Sequence, residues 1–301
     1  MPIELKGGIH MQPNIAGSRP AVSQASTLFR RIGRALFWFV LLLYGIVTLY
    51  PFVWLVTSAF KTNEDFYNRP FGLPEVWKWE NFTVAWESSN LGNAFNNSMI
   101  VSIGSLVLTL FISALASFVL ARFSFRWKGI MLAFFVIGML IPIHSTLVPL
   151  FILMKQMFLL NTYWALILPY TAFALPTAIF ILTAYLTSIP RDIEEAAFMD
   201  GTGLWGLFFR IMLPMSLPAL STVTILSFLH AWNDFSFALV FINKTELKTL
   251  PLAIANFADG YQTDYGLTLA AMTLSIFPTV LLYLLFQEQM MKGMTAGAVK
   301  G

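Results

Sequence analysis

Long stretches without a charged residue dominate the pattern of this chain. Six of them, each 23 to 35 residues long, separate the acidic and basic positions and consist mostly of Leu, Ile, Val, Phe, Ala and Met. About 20 apolar residues are enough to cross a bilayer as a helix. Membrane β-barrels instead alternate apolar and polar residues over about ten positions. The pattern therefore predicts six spanning helices, at 35–59, 97–121, 130–153, 164–187, 211–232 and 265–287.

Composition supports the membrane class. Hydrophobic residues make up 57% of the chain and charged residues 11%, with a mean hydropathy of +0.72, whereas soluble domains carry about 25% charged residues. Such a chain cannot cover a globule with polar surface, which excludes a soluble enzyme, a disordered regulator and a nucleic-acid module. Cysteine is absent, so disulfides and thiolate metal sites are excluded as well.

The basic residues predict the orientation. Twelve of the 18 Lys and Arg residues lie on the side of the two termini and six on the other side, which places both termini in the cytoplasm. The basic cluster at 30–34 precedes an apolar run too long for a signal peptide, so an uncleaved first helix is favoured. The predicted organisation is a cytoplasmic, disordered segment at 1–34, a membrane domain at 35–287 and a cytoplasmic tail at 288–301.

The loop at 188–210 contains signals for the start and the end of a helix, which a simple connecting loop does not need. Its sequence is SIPRDIEEAAFMDGTGLWGLFFR. Pro190 and the acidic residues after it favour a helix start, and Gly201 and Gly203 favour its end. An apolar segment from Leu204 then enters the fifth span. A helix lying on the membrane surface would prefer Lys and Arg on its polar face, so the acidic face predicts a protein partner.

Four stretches carry a family resemblance that covers about residues 35–301. The string EEAAFMDGTGLWGLFFRIMLPMSLP resembles the EAA loop of permease subunits of bacterial ATP-binding-cassette importers. SAFKTNEDFYNRPFGLP, NTYWALILPYTAFALPTAIFIL and KGMTAGAVKG resemble the carbohydrate branch, in particular its maltose-permease G-like half. The matching positions of the loop, together with the preceding acid, are Glu194, Glu195, Ala196, Ala197, Asp200, Gly201, Leu213 and Pro214.

The resemblance implies the type I importer permease fold: an all-α membrane protein with six transmembrane helices and a cytoplasmic coupling helix between the fourth and fifth. It implies a non-enzymatic subunit that forms half of the path of an ATP-driven, binding-protein-dependent sugar importer in the bacterial cytoplasmic membrane. The implied partners are a second homologous permease (a heterodimer), two ATPase subunits, an extracytoplasmic solute-binding protein, lipid and the sugar, with no nucleic acid.

The resemblance also implies roles within the loop. Glu195 would pair with a basic group of the ATPase, the two alanines would allow close packing, and Gly201 would permit the turn. ATP and Mg belong to the ATPase, since this chain has no G-x-x-x-x-G-K-[ST] loop and is expected to bind no cofactor or metal. For the tail, a frayed terminus and insertion into the ATPase dimer both remain open.

The predicted spans contain no Asp, Glu, Lys or Arg, which argues against an ion-coupled carrier. A neutral path with hydroxyl, amide and aromatic groups suits a sugar. An importer of amino acids, phosphate or metal remains the alternative, followed by an ion-coupled sugar carrier, and each path residue has a packing role as its alternative. No H-E-x-x-H or G-x-S-x-G motif supports a membrane enzyme. The candidate path residues are Asn97, His144, Ser145, Thr146, Tyr170, Tyr185, His230, Trp232 and Asn233.

Overall fold

The computed structural model describes residues 24–88, 90–258 and 264–298. In those ranges the backbone is helical or irregular, without strands, which confirms the predicted all-α class. The α-helices are α1 (Gln24–Ser58), α2 (Asn63–Asn68), α3 (Glu80–Ser88), α4 (Leu91–Arg122), α5 (Lys128–Gly138), α6 (Leu147–Gln156), α7 (Trp164–Ser188), α8 (Asp192–Met199), α9 (Leu204–Gly206), α10 (Leu213–Met215), α11 (Leu217–Asn233), α12 (Ser236–Phe241), α13 (Leu250–Ala258) and α14 (Tyr265–Ala298). Two 3-10 segments, Ile143–Thr146 and Thr245–Leu247, and a π-helical segment, Leu207–Met212, lie between them.

Four helices are long and apolar enough to cross a membrane without interruption. They are Arg31–Ser58 within α1, all of α4, all of α7 and Tyr265–Glu288 within α14. Two bent helix pairs supply the remaining apolar length, so the described part of the chain has up to six spans if each pair counts as one.

The third predicted span is not continuous. Helix α5 and the segment Ile143–Gln156 meet at 93°, where the sequence analysis expected one helix over 130–153. Pro142 causes the break, because it lacks a backbone N–H and its ring disfavours helical geometry at the preceding residue. The end of α5 packs closely on α7, since a Cβ added at Gly138 would lie 3.2 Å from the Pro176 ring.

The fifth predicted span is bent as well. The stretch Leu204–Met215 and helix α11 meet at 72°, where one helix over 211–232 was expected. The break falls at Ser216, whose N–H donates to the carbonyls of Met212 and Leu213. Pro218 stands at the start of α11, where its missing N–H leaves no unpaired helix donor.

Three helices extend well beyond their predicted bounds, and one of them, α4, begins at Leu91, before residue 97. Helix α1 begins at Gln24, not at residue 35, and α14 continues to Ala298, past residue 287. Of the segment 1–34 that is predicted to be disordered, residues 24–34 belong to α1. Residues 1–23 of that segment lie outside the described residues, as do residues 299–301 of the predicted tail.

Helices α4 and α7 form the centre of the unit that spans Trp54–Gly301. Small residues allow the two backbones to approach closely, as in membrane helix pairs generally: a Cβ at Gly104 would lie 2.9 Å from the Ile167 side chain. The Ser117 hydroxyl donates across the pair to the Ile179 carbonyl at 3.2 Å. The buried hydroxyl residues along α4 are Ser98, Ser102, Ser105, Thr109, Ser113 and Ser117.

A buried lysine organises the loop between α1 and α4. The Lys61 ammonium donates to the carbonyls of Arg69 (2.8 Å) and Pro70 (3.1 Å), and the Trp54 indole also donates to the Pro70 carbonyl. Burial lowers the pKa of Lys61, and the neighbouring Asp65 carboxylate opposes that shift. The Asn81 amide donates to the Ala59 and Lys61 carbonyls, so the end of α1 is fixed to α3.

Candidate functional site

The predicted loop helix exists as α8, and its ends explain its position in the sequence. The acidic residues Asp192, Glu194 and Glu195 occupy its first turn, where carboxylates interact favourably with the helix dipole. At the other end the Thr202 N–H donates to the Ala197 carbonyl and the Gly201 N–H to the Phe198 carbonyl. These two bonds, with Gly201 at φ +80°, form a Schellman C-cap.

Helix α8 has one buried and one exposed face. Ile193 and Ala197 pack against the ends of α4 and α7 and against the π-helical segment. Glu195 and Ala196 point away from that cluster, as does Met199, which is 88% exposed. The two alanines of the predicted motif therefore differ: Ala197 packs within this chain, and only Ala196 is free to approach a partner.

The acidic residues of α8 differ in the same way. Glu194 turns inward and forms an ion pair with Arg122, the last residue of α4, with 2.7 Å between Oε1 and Nε. Glu195 and Asp200 are exposed, as is Asp192. The outward surface thus combines negative charge with the apolar side chains of Phe198 and Met199.

Arg122 is a residue of this candidate site that the sequence does not indicate. In the sequence it is only one of the twelve Lys and Arg residues assigned to the side of the two termini. Its guanidinium also donates to the Ile189 carbonyl at 3.1 and 3.2 Å. Its carboxylate partner is 72 positions away in the sequence, so no local pattern signals the contact.

The Leu-Pro pair of the predicted motif forms the start of α10, just before the bend at Ser216. Leu213 is half-buried against the cluster beneath α8, and Pro214 is exposed. Both line an apolar groove of about 550 Å³. The π-helical segment that precedes them is a rare conformation, often found at functional positions. The groove is lined by Val107, Leu110, Phe111, Ala114, Phe208, Phe209, Leu213, Pro214, Leu217, Leu220, Ser221, Thr224 and Phe286.

A second cavity lies at the break of the third span. It measures about 270 Å³ and is enclosed by α5, α7, α11 and the residues around Ile143. Of the nine candidate path residues, His230 alone lines it, beside Ser227 and Thr177. Its lining contains no Asp, Glu, Lys or Arg. This cavity therefore offers imidazole and hydroxyl groups to a neutral polar solute.

Three of the candidate path residues form hydrogen bonds to groups that are distant in the sequence. The Asn97 amide donates to the Glu246 and Lys248 carbonyls and accepts from the Tyr163 hydroxyl. The buried Tyr170 hydroxyl donates to Asp234 at 2.6 Å. The buried Trp232 indole donates to the Ser275 carbonyl. These contacts favour the packing alternative for all three.

The other candidates are dispersed. His144 and Ser145 are exposed in the 3-10 turn after Pro142, and the Thr146 hydroxyl donates to the Ile143 carbonyl. Tyr185 is half-buried in the apolar core. Asn233 lines another cavity, of about 320 Å³, next to Trp232 and Phe235. The described residues contain no cluster of three or more His, Asp or Glu that could hold a metal.

Comparison with known proteins gives consistent matches. The sequence profile of the family described as "Binding-protein-dependent transport system inner membrane component" matches residues 111–295. The chain is 43% identical to the probable ABC transporter permease protein YurM of Bacillus subtilis, over 90% of each protein. It is 34% identical to the diacetylchitobiose uptake system permease protein NgcG of Streptomyces coelicolor, over 93% of this chain and 92% of that one. It is 33% identical to the melibiose/raffinose/stachyose import permease protein MelC of Bacillus subtilis, over 83% and 91%.

The fold matches a solved structure over nearly the whole chain. A chain from a bacterial ABC transporter involved in the import of the acidic polysaccharide alginate superposes with a TM-score of 0.76. The alignment covers 89% of this chain and 99% of that chain, at 19% sequence identity. The overall helical fold of this chain is therefore similar to that of a chain in a solved transporter structure.

Proposed function

This chain belongs to the family of binding-protein-dependent transport system inner membrane components, and from that premise we propose that it is a permease subunit of an ATP-driven sugar importer. The observation that carries the proposal is the similarity over nine tenths of the chain to a diacetylchitobiose uptake permease. The family and the relatives are transport subunits, not enzymes. The reaction that drives transport accordingly belongs to a partner, which holds ATP and Mg.

The proposed substrate is a neutral oligosaccharide. The relatives are named for diacetylchitobiose, for melibiose, raffinose and stachyose, and for arabinooligosaccharides. The cavity beside His230 supports this class, because its polar groups are an imidazole and two hydroxyls and its walls are apolar. Sugar hydroxyls form hydrogen bonds with the former, and sugar ring faces pack against the latter. This subunit would form one half of the path and a second permease the other half.

Helix α8 is proposed to dock on the ATPase. Its exposed face presents Glu195, Ala196 and Met199, and its buried face packs against the ends of α4 and α7 through Ile193 and Ala197. A surface that combines charge with exposed apolar side chains is typical of a protein interface. A partner that moves against this face would move the ends of two spanning helices with it.

The proposed assembly contains this chain, a second permease, two ATPase subunits and an extracytoplasmic binding protein. The distribution of Lys and Arg supports an orientation with both termini and α8 in the cytoplasm. The loop fixed by Lys61 and the cavity beside Asn233 would then face the binding protein.

Uptake by the purified complex in proteoliposomes tests the proposal. The probes are radiolabelled diacetylchitobiose, melibiose, raffinose and arabinotriose. Accumulation of at least one sugar should require both ATP inside and the binding protein outside. Uptake of amino acids, phosphate or a divalent metal, with no uptake of the sugars, would contradict the proposed sugar substrate. Uptake by the single chain, driven by a proton or sodium gradient without ATP, would contradict the importer itself.

A further inference from the structure

One guanidinium group connects the ends of three helices, α4, α7 and α8. Arg122 is the last residue of α4, and its Nε lies 2.7 Å from Oε1 of Glu194 in α8. Its two terminal nitrogens donate to the carbonyl of Ile189, the residue that follows α7. The ends of α4, α7 and α8 therefore share a single planar side chain.

Both charged side chains of this ion pair are largely shielded from solvent. The Arg122 side chain is 5% exposed and the Glu194 side chain 14%. Solvent screens such a pair much less than a surface ion pair. Removal of one partner leaves the other charge buried without compensation. Arg126, four residues further along the chain, is exposed. It therefore serves as a comparison in which an arginine carries the same charge but is not buried.

Helix α8 contacts the rest of the chain through apolar packing and through the Arg122 guanidinium, and these two kinds of contact differ in how strongly they depend on geometry. Apolar packing of Ile193 and Ala197 is non-directional and allows small sliding movements. The Arg122 guanidinium, in contrast, holds the Ile189 carbonyl with two N–H donors of one rigid plane. It also keeps its charge next to the buried Glu194 carboxylate, so a displacement of α8 relative to α4 would separate two buried opposite charges. The ion pair is thus the contact best suited to make α8 and α4 move together.

Helix α4 also has structural hydrogen bonds near its N-terminal end. Asn97 donates to the Glu246 and Lys248 carbonyls at 2.8 and 3.0 Å and accepts from Tyr163 at 2.7 Å. Arg122 follows Asn97 by 25 positions in α4, which corresponds to about 37 Å at the usual helical rise. Between these points α4 packs along α7, so a displacement at one end reaches the opposite end through a continuous rigid element.

We propose that Arg122 is a positioning residue that transmits the displacement of α8 to α4 and α7. The inference rests on the proposed function, since it assumes that a partner moves α8. Loss of the side chain would leave α8 attached by sliding apolar contacts, and ATP hydrolysis would then proceed with less solute transported in each cycle.

The test measures the amount of sugar transported per ATP hydrolysed by the complete complex in proteoliposomes. The probe is whichever of diacetylchitobiose, melibiose, raffinose or arabinotriose gives the greatest wild-type uptake. Arg122→Gln should lower the ratio at least about fivefold, the lower end of typical coupling effects. Arg122→Lys, which keeps the charge without the planar fork, should give an intermediate ratio. Arg126→Gln is the matched control and should leave the ratio unchanged.

Two outcomes overturn the inference. One is a ratio for Arg122→Gln within about twofold of wild type, even where transport and hydrolysis both fall, since equal losses mark a merely structural role. The other is an equal fall for Arg126→Gln. If Arg122→Gln does not assemble, Glu194→Gln keeps the size of the partner and is judged by the same ratio. Absence of ATP-dependent uptake in the wild type would instead refute the proposed function.

Discussion

Gly201 is the residue whose substitution most sharply tests how α8 ends. Its φ of +80° lies in the left-handed region, and no atom lies within 4 Å of a Cβ added there. The cost of Gly201→Ala is therefore conformational, not steric, and amounts to about 1–2 kcal/mol. If correct placement of α8 is required for docking, this cost weakens the affinity of the ATPase by about fivefold to 30-fold.

The assay titrates the purified ATPase onto the permease pair in nanodiscs and determines the Kd. Gly203 is the matched control, because an added Cβ there also meets nothing within 4 Å while its backbone has the ordinary φ of −78°. Gly203→Ala should leave the Kd nearly unchanged. Gly201→Asn should lose less affinity than Gly201→Ala, because asparagine tolerates the left-handed conformation better.

Equal Kd values for Gly201→Ala and Gly203→Ala would refute this reasoning. So would a loss for Gly201→Asn as large as that for Gly201→Ala, since the effect would then follow from side-chain bulk. Either result would mean that the glycine turn does not set the position of α8 in the complex.

Three further substitutions test other parts of the structure. Gly266→Ala places a Cβ 2.5 Å from the Lys61 carbonyl oxygen, so the Tm of the purified permease should fall by about 5 °C. Glu195→Gln should lower binding-protein-stimulated ATP hydrolysis about tenfold at unchanged Tm, because this side chain is exposed on α8. His230→Ala should raise the KM for sugar uptake about tenfold and leave basal ATP hydrolysis unchanged, because His230 lines the cavity without contributing to the buried core.

The sequence predicted continuous elements well and interrupted ones poorly. Helix α7 agrees with its predicted bounds to within one residue, because charged and irregular segments flank an unbroken apolar run. The third and fifth spans look equally apolar by composition, yet both bend sharply. Hydropathy averages over about 20 residues and does not register a helix break, and α7 itself contains Pro169 and Pro176 without breaking.

In the candidate site, too, local features could be predicted from the sequence and contacts between distant segments could not. The acids at the start of α8 and the glycine after it were recognised because caps and helix dipoles are local signals. The ion pair between Arg122 and Glu194 depends on the packing of α4 against α7, a tertiary contact that no single segment encodes. The candidate path residues do not form one site. Some of these polar side chains instead form hydrogen bonds with other parts of this chain, as Asn97 and Tyr170 do.

Site-specific cross-linking tests the central claim, that ATP-driven motion enters this chain through α8. The natural chain has no cysteine, so a single cysteine can be placed at Met199, which is 88% exposed on α8, or at Leu73, exposed in the loop after α1. In the complete complex, Met199→Cys should cross-link to the ATPase and Leu73→Cys should not. A cross-link from Leu73→Cys to the ATPase, with none from Met199→Cys, would contradict the account.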